Sequence, residues 1–369
     1  HRYYGESQPV KIWSTENMKY LNTDQAMADL AHFMNTLSKE FATKYNIPLK
    51  RWVIFGGSYP GALVSWFRGK FPHIALAAWS SSGVVNAIKD FHQYDEIVSY
   101  SIRKDSYECL KKVEAMMDYT NKEFEEKRGD VIKKQWESEK MDDEDFFVFY
   151  SDMFAGIVQY GEKSDLCLRL KNIKDDYVEM NKILYDWKGK DAKDGYTIET
   201  MTNIEIDTNK NTRQWAYKYC SMFGCYQTEG NITHPLKNKA VNVDYYDKSC
   251  KKIFGIDFNL DVSIWNDRHG ATNPSITKVI YLNGDEDPWK TASITSSKDP
   301  QIHTFVIKCN GCAHCVDLKA RKAESDPLLL DARAKAESIL ENWLKLEKEG
   351  ELKNIEKNNL ESYINSRLK

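Results

Sequence analysis

Apolar residues along this chain follow two different periods, and the changes between them mark its elements. Ala26, Leu30, Phe33, Met34, Leu37 and Phe41 recur at helical spacing. Thr23 precedes that run and Lys39 and Lys44 lie toward its end, which predicts a helix capped by Thr23 with cations at its negative pole. After Pro48, the run Arg51-Trp52-Val53-Ile54-Phe55 reads as a short buried strand halted by Gly56-Gly57. A helical pattern follows at once in Ala62, Leu63, Trp66 and Phe67, then a second strand from Ile74 to Trp79 that ends in Ser80-Ser81-Ser82-Gly83. Helix, strand, turn, helix and strand in that order predict a right-handed parallel βαβ layout.

From about Val85 to Lys252 the texture changes. Charge is dense, strand patterns are scarce, and amphipathic helical spacing dominates, as in Phe146, Phe149, Met153 and Ile157. This block reads as a helical insertion. Strand-like runs return at Val279–Leu282 and Thr304–Ile307. Pro327, after Ser325-Asp326, opens a final helix with Ala336, Ile339, Leu340, Trp343 and Leu344 as its apolar stripe. The expected organisation is a first part of an α/β domain over 1–85, a helical insertion over 86–252, a second α/β part over 253–345, and a charged tail over 346–369 that frays.

Composition narrows the picture. With 369 residues, 41% hydrophobic and 12% aromatic, the chain is globular and long enough for two domains or one with a large insertion. A net charge of -3 leaves no footprint for nucleic acid, and no apolar run approaches the ~18–20 residues that span a bilayer. The chain starts at His1 without Met, as a processed chain or fragment would, so the absence of a signal peptide does not argue for the cytosol. Eight cysteines could form four bridges in an oxidising compartment, with the connectivity open. Asn231-Ile232-Thr233 is an N-glycosylation sequon, and together these features favour an exported protein.

The chemistry concentrates in three places. A serine hydroxyl is nucleophilic only with a base in reach and donors for the developing oxyanion. Gly56-Gly57-Ser58-Tyr59-Pro60-Gly61 lies between a strand and a helix, the context of an α/β-hydrolase nucleophile, with Ser58 as the nucleophile and the Tyr59 N–H as oxyanion donor. Pro60 stands where the simple motif has Gly, but at the first helical turn a proline removes a donor that has no helical partner anyway. The fold's order is Ser, then acid, then His. Only His303 and His314 follow the Val279–Leu282 strand, and His314 lies in the loop after the last strand, where the base belongs. For the acid, Asp285, Glu286 and Asp287 compete in one loop, and the residues alone do not choose among them.

Taken with further stretches, these residues resemble the serine peptidase family of lysosomal prolyl (Pro-Xaa) carboxypeptidase, dipeptidyl peptidase II and thymus-specific serine protease. The stretches are His1–Ser7, Leu21–Asp29, Gly56–Tyr59 through His73, Ser80–Ser82, Gln159–Gly161, Gln214-Trp215 with Cys220, Asn283-Gly284 with Asp287-Pro288-Trp289, and Ala313-His314 with Asp317-Leu318. The resemblance implies an α/β-hydrolase fold with a helical cap, Ser58 as nucleophile, Asp287 as acid and His314 as base. It also implies a proline-binding pocket walled by Trp289, proline-containing peptide substrates, a lysosomal or secreted location and no cofactor. Three departures stand out: Pro60, the lack of an acidic residue in Cys220-Ser221-Met222-Phe223-Gly224, and Cys312 and Cys315 flanking Ala313-His314. The family's N-terminal strands and second oxyanion donor have no counterpart here. Losing such a donor costs about 10²–10³ in turnover, so the segment alone is expected to be inactive.

Cys309-x2-Cys312-x2-Cys315 beside His314 has a spacing that can hold zinc, yet without a second ligand cluster disulfide pairing is the expectation and no metal is. The leading reading is a serine exopeptidase on peptides, with a homodimer and the choice between carboxypeptidase and dipeptidyl peptidase left open. An esterase or lipase on the same triad, and a non-catalytic binding protein on a decayed scaffold, are the alternatives.

Overall fold

In a computed structural model the chain is described over residues 1–320, 322 and 325–367, excluding the side chains of 351–367. The N-terminal elements are α1 (Thr23–Tyr45), β1 (Trp52–Gly57), α2 (Tyr59–Lys70) and β2 (Ala75–Ser81). Asn22, not Thr23, caps α1: its side chain accepts from the Gln25 N–H, and Thr23 is the first helical residue. The predicted stripe also turns partly outward. Ala26, Met27, Ala31 and Met34 are buried, while Phe33 and Phe41 remain 57% and 43% exposed. The buried face, made of two alanines and two methionines, is rotated from the helix's bulkiest residues.

A short strand β3 (Ile88–Asp90) leads into α3 (Gln93–Asp105), α4 (Tyr107–Glu125), α5 (Gly129–Gln135), α6 (Asp143–Gln159) and α7 (Lys163–Leu170). Shorter helices follow: α8 (Tyr177–Leu184), α9 (Lys190–Ala192), α10 (Ile198–Thr202) and α11 (Thr212–Lys218). Strand β4 (Gly224–Tyr226) pairs in parallel with β3 as a separate two-stranded sheet. Then come α12 (Val243–Phe254), α13 (Val262–His269), β5 (Val279–Gly284), β6 (Ile302–Ile307) and α14 (Pro327–Arg367). The last helix continues past Leu346 to Arg367, where a fraying tail was expected.

Strands β1, β2, β5 and β6 form one parallel sheet in that order. The whole stretch from Ser82 to Lys278 therefore lies between two hydrogen-bonded neighbours. Within β5 the side chains alternate between two cores, as the two-residue period of a strand requires. Val279 and Tyr281 join the larger core with Ile54, Phe67 and much of α4 and α6, whereas Ile280 and Leu282 pack with Leu76, Trp79 and the α14 residues Leu329, Ala332, Ala336 and Trp343. The fold is that of an α/β-hydrolase, with the carboxyl ends of four parallel strands on one edge, where such sheets place their sites. No helix among the described residues is long and apolar enough to cross a membrane.

Candidate active site

Ser58 sits between β1 and α2 with φ 61° and ψ -130°, a conformation that L residues rarely adopt and that tight functional turns impose. Its N–H donates to the Ser81 carbonyl at 2.9 Å, tying the turn to the end of β2. The close approach explains the glycines. A Cβ on Gly56 would fall 2.1 Å from the Pro60 carbonyl oxygen, and one on Gly61 2.7 Å from the Ser81 oxygen. Both obstacles are backbone and cannot rotate away. Gly56→Ala is therefore expected to cost more than about 3 kcal/mol or to prevent folding, measured by urea denaturation. Tyr59 is the first helical residue and Pro60 the second, so the Tyr59 N–H is one that the helix itself does not use.

The three competing carboxylates after β5 have separate partners. Asp285 meets the Lys290 and Lys104 ammonium groups at 3.0 and 3.2 Å and accepts from Tyr100 OH at 3.1 Å. Glu286 forms a buried pair with Lys163 at 2.8 Å and accepts from the Gly311 N–H at 3.0 Å. Asp287, fully buried, lies with both carboxylate oxygens 2.9 Å from His314 Nδ1. Its Oδ1 also accepts from the Trp289 N–H at 2.9 Å. A carboxylate can only accept, so Nδ1 carries the proton and Nε2 is the basic nitrogen. Nε2 is buried without a hydrogen-bond partner among the described residues. Burial disfavours the imidazolium, but the Asp287 carboxylate outweighs it and raises the His314 pKa.

The loop that carries His314 is held from several sides. The His314 N–H donates to the Gln159 carbonyl at the end of α6 (3.0 Å), and the Cys315 N–H to Ser82 Oγ (2.9 Å). Asp317 accepts from Trp79 Nε1 at 2.7 Å and Ser81 Oγ at 2.5 Å, and Arg333 of α14 donates to the carbonyls of Val316, Asp317 and Lys319. The loop reaches the serine turn: a Cβ on Gly57 would lie 2.9 Å from Cys315 Sγ and from Leu318 Cδ1. His303, the other late histidine, is on β6 against Trp343, away from this loop.

A cavity of about 390 Å³ opens at Ser58 and Tyr59 and is lined by Trp289 and by Asp152, Gly156 and Gln159 of α6. Trp289 packs against Phe91 and Tyr94 and donates through Nε1 to Gln159 Oε1 at 2.7 Å, so it is both core and cavity wall. In the sequence Gln159 stands out only as part of the family resemblance and Asp152 not at all; their common helical face, seven residues apart, is the signal the sequence offers.

The cysteines form three bridges where four were open: Cys109–Cys167, Cys220–Cys250 and Cys309–Cys312, with Cys225 and Cys315 as free thiols. Cys309 and Cys312 are thereby withdrawn from the zinc-like spacing, and no group of three or more metal-ligating side chains occurs among the described residues. Asn231 is exposed, as its sequon needs.

Comparison with known proteins gives the family. The model of the serine carboxypeptidase S28 family matches residues 1–336. The chain is 29% identical to a probable serine protease, EDA2, of Arabidopsis thaliana, over 90% of this chain and 69% of that protein. It is 26% identical to the human thymus-specific serine protease over 96% of this chain and 74% of the relative. A probable extracellular serine carboxypeptidase of Arthroderma benhamiae is 25% identical over 80% of this chain and 48% of its own length. The chain belongs to the serine carboxypeptidase S28 family and is a serine-type peptidase.

Proposed function

We propose that the intact protein hydrolyses proline-containing peptides through an acyl-enzyme on Ser58, with His314 as general base and Asp287 as its orienting acid. The observation that carries this reading is the buried Asp287–His314 pair at 2.9 Å, whose free Nε2 belongs to a loop packed against the Ser58 turn. Nε2 takes the Ser58 hydroxyl proton as Oγ attacks the scissile carbonyl, then gives it to the leaving amine. Water, deprotonated by the same nitrogen, resolves the ester. Asp287 holds the ring in the required tautomer and stabilises the imidazolium formed at each transition state. The Tyr59 N–H donates to the oxyanion, the role its unused position at the start of α2 supports.

Trp289 supplies an aromatic wall that suits the rigid, apolar proline ring. Three disulfides, an exposed sequon at Asn231 and a relative named as extracellular support a secreted or lysosomal site of action. The test is covalent labelling of the intact protein with a fluorophosphonate. Labelling lost in Ser58→Ala is the expected result, together with a fall in prolyl-peptide turnover on the order of 10⁶. Folded wild-type protein that takes no label contradicts the mechanism.

A further inference from the structure

The cavity at Ser58 continues into a second one of about 340 Å³, and the two share Asp152, Tyr196, Trp215, Cys225, Gln227 and Trp289. Among the described residues that line both, Asp152 is the one formally charged side chain. Its carboxylate is paired with Lys237 Nζ at 2.7 Å, yet the two are not equally placed: the Asp152 side chain is 20% exposed and that of Lys237 1%. The carboxylate faces the space and the ammonium stands behind it. Lys237 also neighbours the buried Asp95, whose carboxylate accepts from the Gly230 and Leu236 N–H groups. One cation thus serves two carboxylates, and Asp152 keeps negative charge to offer.

Along α6, Asp152 and Gln159 are seven residues apart, about 10 Å at 1.5 Å per residue. Gln159 marks the catalytic end, because its carbonyl accepts from the His314 N–H at 3.0 Å. Its side-chain oxygen takes both Trp289 Nε1 (2.7 Å) and Tyr94 OH (2.8 Å), which fixes the amide. Between the two, Gly156 lines the cavity with nothing within 4 Å of where a Cβ would stand. Glycine inside a helix costs about 1 kcal/mol relative to alanine, and here it leaves room beside the helix.

We propose that Asp152 binds the free α-ammonium of a peptide's amino terminus, so that the enzyme works from that end and releases a peptide of two or three residues. The assignment rests on Ser58 as the nucleophile. At about 3.3 Å per extended residue, the ~10 Å between the catalytic end and Asp152 holds a chain of that length. A substrate's terminal carboxylate would enter a space with no lining cation among the described residues, and an unpaired charge out of water is strongly disfavoured. The buried Lys218 does not line this space; its ammonium lies 3.7 Å from the ring centroid of Tyr59 and 4.9 Å from that of Tyr4. Tyr196 and Trp215 add aromatic faces that favour an ammonium over a carboxylate.

The experiment compares kcat/KM of the intact protein on one prolyl peptide in three forms: free at both ends, N-acetylated, and C-amidated. Acetylation is expected to lower kcat/KM about 10²-fold, chiefly through KM, while amidation has little effect. Mass spectrometry of the products should find the released amino-terminal di- or tripeptide. In Asp152→Asn the ratio between free and acetylated substrates should fall toward one. Acetylated and free peptides cleaved equally well by wild-type protein that takes a fluorophosphonate label overturn the Asp152 assignment alone. So does loss of turnover on amidation, which would place the recognised charge at the carboxyl end. Absence of label on folded protein overturns the serine reading and this one with it.

Discussion

Asp287→Asn is expected to lower kcat by about 10⁴-fold with KM little changed. The reason is the direction of two hydrogen bonds. The Trp289 N–H donates to Asp287 Oδ1, so in the variant the amide oxygen stays at that position. The NH2 group then occupies the Oδ2 position, 2.9 Å from His314 Nδ1. The amide oxygen, also 2.9 Å from Nδ1, can still accept, but the NH2 group now facing the ring favours the tautomer with its proton on Nε2, and the negative charge that stabilises the imidazolium is gone. In that tautomer the imidazole cannot accept from Ser58. Steady-state kinetics on a prolyl peptide, with a fluorophosphonate labelling rate as a second readout, measure the effect. A fall of less than about tenfold would move the acid's role elsewhere. Asp285→Asn, whose carboxylate faces Lys290, Lys104 and Tyr100, is expected to leave kcat near wild type.

The second large effect is on stability. Lys163 and Glu286 are both 1% exposed and meet at 2.8 Å. Lys163→Met leaves Glu286 with the half-exposed Lys104 at 3.1 Å and the Gly311 N–H. Stripping a buried charge of its partner costs about 3–5 kcal/mol, more than many domains can lose. The urea midpoint should fall with an unchanged slope, and Lys163→Met/Glu286→Gln should recover part of the loss. An unshifted midpoint in the single variant would mean that Lys104 alone satisfies Glu286. The pair also links α7 to both late loops, since Glu286 precedes Asp287 and holds Gly311 upstream of His314.

Local features were legible before the fold. The turn at Ser58 depends on Gly56, Gly61 and a flanking strand and helix, all between Trp52 and Lys70, so its pattern is written contiguously. Helix α6 was equally plain from Phe146, Phe149, Met153 and Ile157, all buried in the core. The cap of α1 was misplaced by one residue, because Asn22 and Thr23 are both good capping types and only the backbone decides which side chain reaches Gln25. The exposure of Phe33 and Phe41 was hidden for another reason: spacing defines an apolar face, but the neighbour that packs on it selects which part is covered.

By itself the sequence determined the alternation of strands and helices, the α/β class and the positions of a serine turn, an acidic loop and a late histidine loop. Each is set by backbone propensities and spacing over a few neighbouring residues. The family resemblance already pointed to Asp287, but its contact with His314 is a matter of tertiary structure, which alone decided which cysteines pair and that Asp152 is the charge facing the cavity. Those outcomes depend on distances between segments from a few residues to more than a hundred apart, and a chain's local pattern holds no measure of them until the sheet and the helices bring the segments together.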